Sequence, residues 1–184
     1  DHLLYTYIES GLPLLVTLPE HVIVGFGHTS DYLTPHPANP APWVYTSHFN
    51  RAFVVSDDNF YPYQMLYEGG PGRVQDSNFN WSDIQEFIVP LPEKVFLTAE
   101  QAQTAIEAVL NNPQVGIKAC SKALAGKQLL LRLFLTSARS FKRGLRKRGM
   151  GNGRVEQVYR HLPMPHFVWI CEIADYSEYA ASRK

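Results

Sequence analysis

The stretch PEHVIVGFGHTS, Pro19 to Ser30, decides how this chain is read. Its centre, HVIVGFG, is apolar on consecutive residues, and a second run of the same kind, LPLLVTL (12–18), stops at Pro19 just before it. Two apolar runs of strand length broken by a proline read as two neighbouring strands. Because neither alternates with polar residues, both are expected in the middle of a sheet with both faces buried. Histidines flank the second run. The question is whether His21 or His28 does chemistry, or whether each only marks where a strand meets water.

Working outward, LLYTYI (3–8) followed by Glu9, Ser10 and Gly11 reads as the end of a helix or a short extended piece closed by glycine. Residues 29–50 hold four prolines among Ser, Thr and Asn and are expected to be an ordered loop or insertion. RAFVVSD (51–57) is a third strand ending at Asp57 and Asp58, and NFYPYQML (59–66) is a turn feeding another extended piece. Residues 68–80 are turn-rich, and IQEFIVPL (84–91) is a strand that Pro90 and Pro92 end.

The pattern then changes. Thr98 with Gln101 three residues on forms a capping box for a helix through AEQAQTAIEAVLNN (99–112), closed by Pro113. A weaker helical stretch is expected over 115–124. KQLLLRLFLT (127–136) is a strand, SARSFKRGLRKRG (137–149) a basic helix with Ser137 as its cap, and HFVWICEIA (166–174) a final strand in which Trp169 is a large buried anchor and Cys171 part of the core. GMGNGR (149–154) reads as a flexible turn, since its glycines match no phosphate-cradling spacing. The fold class is α+β.

At 184 residues and 45% hydrophobic, the chain can bury one sizeable core or two small ones. No apolar run approaches the ~20 residues of a membrane-spanning helix, and no basic-then-apolar leader is visible. Cys120 and Cys171 form no disulfide framework and match no zinc spacing, so each is expected as a small apolar side chain and a reducing cytoplasm is the expected location. The formal net charge of zero hides an asymmetry. Residues 1–100 carry 12 acidic and 3 basic groups, and residues 101–184 carry 14 basic and 5 acidic ones, so the halves are expected to attract each other.

The series YIESGLPLLVTL, HVIVGFG and RAFVVSDD, within residues 5–66, resembles the C-terminal sheet half of papain-like cysteine peptidases, especially the bacteriocin-processing type of bacteria. In that family the catalytic histidine opens one strand and the aspartate that orients it ends the neighbouring strand. The resemblance implies His21 as general base and Asp57 as orienting carboxylate. It also implies a peptide or protein substrate, peptide or isopeptide hydrolysis, no cofactor, and a catalytic cysteine on an upstream segment. No cysteine precedes His21 here, and the chain opens on Asp1 rather than Met, so that thiol is expected upstream of residue 1. Two further departures are Asp58 where the family often has proline, and YPY (61–63) in place of GPY. On this reading residues 1–90 are the sheet part of a papain-like domain and residues 91–184 an appended α+β module.

The residues support the pairing independently. A cysteine nucleophile works as thiolate and needs an imidazole to take its proton, and the imidazole needs a partner on its other nitrogen to fix the tautomer. If HVIVGFG and RAFVVSD pair antiparallel, the start of one and the end of the other meet at one sheet edge, bringing His21 beside Asp57. The same pairing sends His28 to the opposite end, near Arg51. The plainer alternatives are a strand-end histidine satisfied by backbone or water, and aspartates that close a turn.

His28, Asp31, His36 and His48 are zinc-compatible in type but irregular in spacing, and no metal is assigned to them. The basic segment 137–149 offers phosphate contacts to nucleic acid, although a solvated face or one docked on the acidic half accounts for it better. A catalytically inactive scaffold whose basic module binds nucleic acid or an acidic protein is the alternative to the peptidase.

Overall fold

A computed structural model describes residues 2–31, 43–72, 76–112, 114, 124, 126–147 and 153–181. Helix α1 (His2–Glu9) comes first, and Gly11 follows it at φ 76, a left-handed value that costs glycine nothing. Five consecutive residues of α1, Leu4 to Ile8, are buried. A helix buried all round lies inside a domain rather than upon it. Its neighbours explain this: α1 packs on strand β2 (His21–Ser30) of one sheet and on β7 (Leu129–Ser137) of another.

The first sheet has five antiparallel strands in the order β5-β4-β2-β1-β6, where β1 is Leu14–Leu18, β4 Asn50–Ser56, β5 Gln64–Tyr67 and β6 Glu86–Ile88. β1 and β2 form a hairpin in which Leu18 pairs with His21 across Pro19 and Glu20. Proline at the first turn position and a left-handed second residue, Glu20 at φ 58, make the type II pattern. β2 pairs with β4 from Val24↔Ser56 onward, with an irregularity between Gly25 and Gly27. A Cβ on Gly27 would meet Val54 at 3.2 Å, so this glycine permits the close approach of β4.

The expectation that β1 and β2 are buried on both faces is corrected. Leu14, Val16, Leu18, Ile23, Phe53, Val55 and Leu66 point to α1 and are at most 2% exposed, whereas Leu15 and Val22 on the other face are 45% and 50% exposed. The apolar run serves both faces of the pleat, but α1 covers only one of them.

The second sheet runs β3-β7-β8, with β3 (Trp43–Tyr45) parallel to β7 and β8 (Phe167–Asp175) antiparallel to it. β3 lies in the segment expected to be a loop; of the remainder, residues 46–49 form a 3-10 turn and residues 32–42 lie outside the described residues. It carries residues of the first half into the sheet of the second, and Ala99 and Trp169 join the core cluster built on the first sheet. The expected seam near residue 90 is therefore crossed in both directions.

Helix α2 (Ala99–Asn111) has both bonds of its capping box, between Thr98 and Gln101, and Tyr7 Oη accepts from the Ala99 N–H at 2.9 Å. Helix α3 (Ala138–Lys147) is opened by Ser137, whose Oγ accepts from Ser140 N–H at 3.1 Å. Two helices went unread in the sequence, α4 (Gly153–His161) and α5 (Tyr176–Ala181); of the turn expected over 149–154, residues 149–152 lie outside the described residues. The helical stretch expected over 115–124 falls almost wholly outside the described residues. Trp169 is half-buried, not a fully buried anchor, because β8 is a sheet edge; its Nε1 donates to Leu97 O at 2.9 Å. Among the described residues no helix is long and apolar enough to cross a membrane.

Candidate active site

Two strands meet where the site is. The β2–β4 register, continued past Val24↔Ser56, carries the start of β2 to the end of β4. His21 shares the parity of Ile23, and Asp57 that of Phe53 and Val55, so both leave the sheet on its core-facing side. His21 Nε2 lies 2.9 Å from Asp57 Oδ2, with the side chains 19% and 2% exposed. Nε2 is buried and out of line with a hydrogen-bond acceptor, so the two atoms are close without the geometry of a directional bond.

Each partner is held from behind. Asp57 Oδ1 accepts from Asn59 N–H at 2.9 Å, the local turn bond that an aspartate after a strand makes, and this leaves Oδ2 to face the imidazole. The ring of Phe79 lies against His21, centroids 6.0 Å apart and planes 18° from parallel. Phe79 is presented by residues tied to β5: Ser77 N–H donates to Met65 O at 3.1 Å, and Trp81 Nε1 donates to Leu66 O at 2.8 Å. Sequence reading missed Phe79. It lies in a turn-rich stretch without periodicity, where an aromatic residue carries no signal of the face it will occupy.

His28 has a different fate. It bonds Glu9 Oε2 through Nε2 at 2.5 Å and leans on Tyr5, centroids 4.3 Å apart, while the strand pairing sets it opposite Phe53. Arg132 of β7 also bonds Glu9, and donates through Nη1 to Glu172 Oε2 at 2.9 Å. Burial opposes ionisation of Glu9, but the His28 bond and the Arg132 guanidinium together hold its pKa below the ordinary carboxylate value. His28 thus belongs to a cluster joining α1, β2 and β7. Here, too, the acidic first half meets the basic second half, as the charge asymmetry implies.

The zinc-type residues are not gathered. His48 lies in the 3-10 turn edge-on to Phe49, Asp31 approaches Arg51 at 3.6 Å, and His36 lies outside the described residues. The described residues that could share an ion are His21, Asp57 and Asp58, whose donor atoms fall within 4.8 Å of one another. One nitrogen and two carboxylates suit a divalent cation, though Asp58 is exposed.

Cys171 on β8 is half-buried, and burial pushes its thiol up to about 12, so it remains protonated at neutral pH. Cys120 lies outside the described residues. On α3, Lys142 Nζ donates to the carbonyls of Arg160 at 3.1 Å and Leu162 at 2.9 Å, capping the C-terminal end of α4. Arg139, Arg143 and Arg160 share with Lys142 a groove of about 540 Å³ between α3 and α4. The basic helix therefore packs on α4 of its own half.

No protein family, curated protein or solved structure matches this chain.

Proposed function

We propose that His21 and Asp57 are the base and orienting carboxylate of a cysteine-peptidase-type acyl-transfer site acting on peptide or isopeptide bonds. The observation that carries this reading is the 2.9 Å approach of His21 Nε2 to a buried Asp57 carboxylate where two paired strands end. With Nε2 turned inward, Nδ1 is the nitrogen left to take the thiol proton. The thiolate attacks the carbonyl carbon, the proton passes through His21 to the leaving amine, and water completes hydrolysis. Cys171 does not supply the thiol, for its burial opposes ionisation. The cysteine is assigned to sequence upstream of residue 1.

The test uses protein carrying that upstream sequence and an electrophilic thiol label. Labelling at neutral pH on an upstream cysteine, slowed about a hundred-fold or more by His21→Ala, supports the reading. Labelling indifferent to both His21→Ala and Asp57→Ala removes it. The second reading, an inactive scaffold with a basic interaction module, is favoured by the α3–α4 groove, where Arg139 and Arg143 stand beside Lys142 and an Arg160 paired with Glu156 at 3.0 Å. For it, affinity for nucleic acid falls steeply with salt and is weakened by Arg139→Ala and Arg143→Ala, and no reactive thiol is found.

A further inference from the structure

A second constellation lies at the junction of α1, the 3-10 turn at 46–49 and α2. Ser47 Oγ is 2.5 Å from His2 Nδ1, and His2 Nε2 is 2.9 Å from Gln103 Oε1. Gln103 Nε2 donates to Glu107 Oε1 at 2.9 Å, and the Tyr45 hydroxyl donates to the same oxygen at 2.9 Å. This chain has one consistent direction. Glu107 only accepts, so Gln103 turns its NH2 toward it and its carbonyl oxygen toward His2. That oxygen also only accepts, so Nε2 carries the imidazole proton. Nδ1 is then the free lone pair, and it meets the hydroxyl of Ser47. Burial lowers the His2 pKa, which favours the neutral ring and leaves the Nδ1 lone pair open to a proton.

His2, Ser47 and Gln103 line a cavity of about 660 Å³ with the aromatic rings of Trp43 and Trp81 on its wall and the charged side chains of Arg51 and Glu68 beside them. Asn50 lines it too, 6% exposed, and neither Nδ2 nor Oδ1 of its side chain has a partner among the described residues. Leaving a buried amide unmet is costly, and a bound carbonyl oxygen satisfies its donor.

We infer that Ser47 and His2 form a serine nucleophile and general base for small acyl esters bound in this cavity, with Gln103 as a positioning residue. Ser47 Oγ bonds to the ester carbonyl carbon while its proton moves to His2 Nδ1. The carbon–oxygen bond to the leaving group breaks, and the alcohol departs with that proton. Water, giving a proton to His2, then cleaves the acyl-serine and releases the carboxylic acid, after which the proton returns to Ser47.

The experiment treats the folded chain, its thiols blocked beforehand, with an alkyl fluorophosphonate, in which a serine–phosphorus bond forms as fluoride leaves. One adduct, mapped to Ser47, is the expected result, together with hydrolysis of p-nitrophenyl acetate that Ser47→Ala abolishes. Labelling slows about a hundred-fold or more in His2→Gln and is unchanged in Ser140→Ala. Imidazole nitrogen NMR of the unmodified chain places the proton of His2 on Nε2, and in Gln103→Leu the two nitrogens share it. Absence of an adduct at Ser47, a wild-type labelling rate in folded His2→Gln, or a proton on Nδ1 in the unmodified chain overturns the assignment.

Discussion

Removing Glu9 tests how the two halves of the chain are joined. Its carboxylate is 11% exposed and takes Arg132 from β7 and His28 from β2, while Arg132, 30% exposed, keeps Glu172 at 2.9 Å. Breaking one side of a fully buried ion pair costs about 3–5 kcal/mol. The partial exposure of Arg132 and its remaining carboxylate bring the expectation for Glu9→Gln to about 2 kcal/mol. For a chain of this size that is a fall of about 4–8 °C in Tm, followed by circular dichroism. A double-mutant cycle with Arg132→Met isolates the pair, and a coupling of at least about 1 kcal/mol is expected. The pH dependence has a definite sign. A carboxylate whose pKa is depressed on folding contributes stability above its unfolded value, near 4.5, and loses it as pH falls through the folded one. The gap between wild type and Glu9→Gln therefore closes in acid. Coupling below about 0.3 kcal/mol, or a gap that widens in acid, refutes the role assigned to this cluster.

Other expectations follow from single sites. Cys171, its thiol pushed up to about 12 by burial, reacts with a disulfide reagent at pH 7 only after denaturant unfolds the chain. Asp175 is held at about 2, chiefly by Lys127, whose Nζ stands 2.7 Å away. A carboxyl NMR titration of Lys127→Met accordingly moves the Asp175 midpoint up toward its ordinary 3.8, and the stability that Asp175 contributes above 3.8 in the wild type, lost as pH falls toward 2, is reduced. Thr98→Ala removes the cap of α2 and lowers stability by about 1 kcal/mol in urea unfolding, with an unchanged m value.

What could be read from residues alone is what local chemistry dictates. The proline break gives the β1–β2 hairpin, the apolar runs give β4 and β7, and Thr98 with Gln101 gives the start of α2, because each signal acts within a few residues of itself. The approach of His21 to Asp57 was legible for the same reason: two strand ends and one antiparallel pairing imply it. The relation between elements was not legible. That α1 is enclosed by two sheets, that Leu15 and Val22 face outward, and that Trp43–Tyr45 add a parallel strand to β7 all depend on which distant surface arrives to cover a given face. Phe79 against His21, and Ser47 against His2 across 45 positions, belong to the same class. Spacing along the chain sets what a segment is able to form, whereas burial, and with it the partner each polar group finds, is settled only when the elements pack.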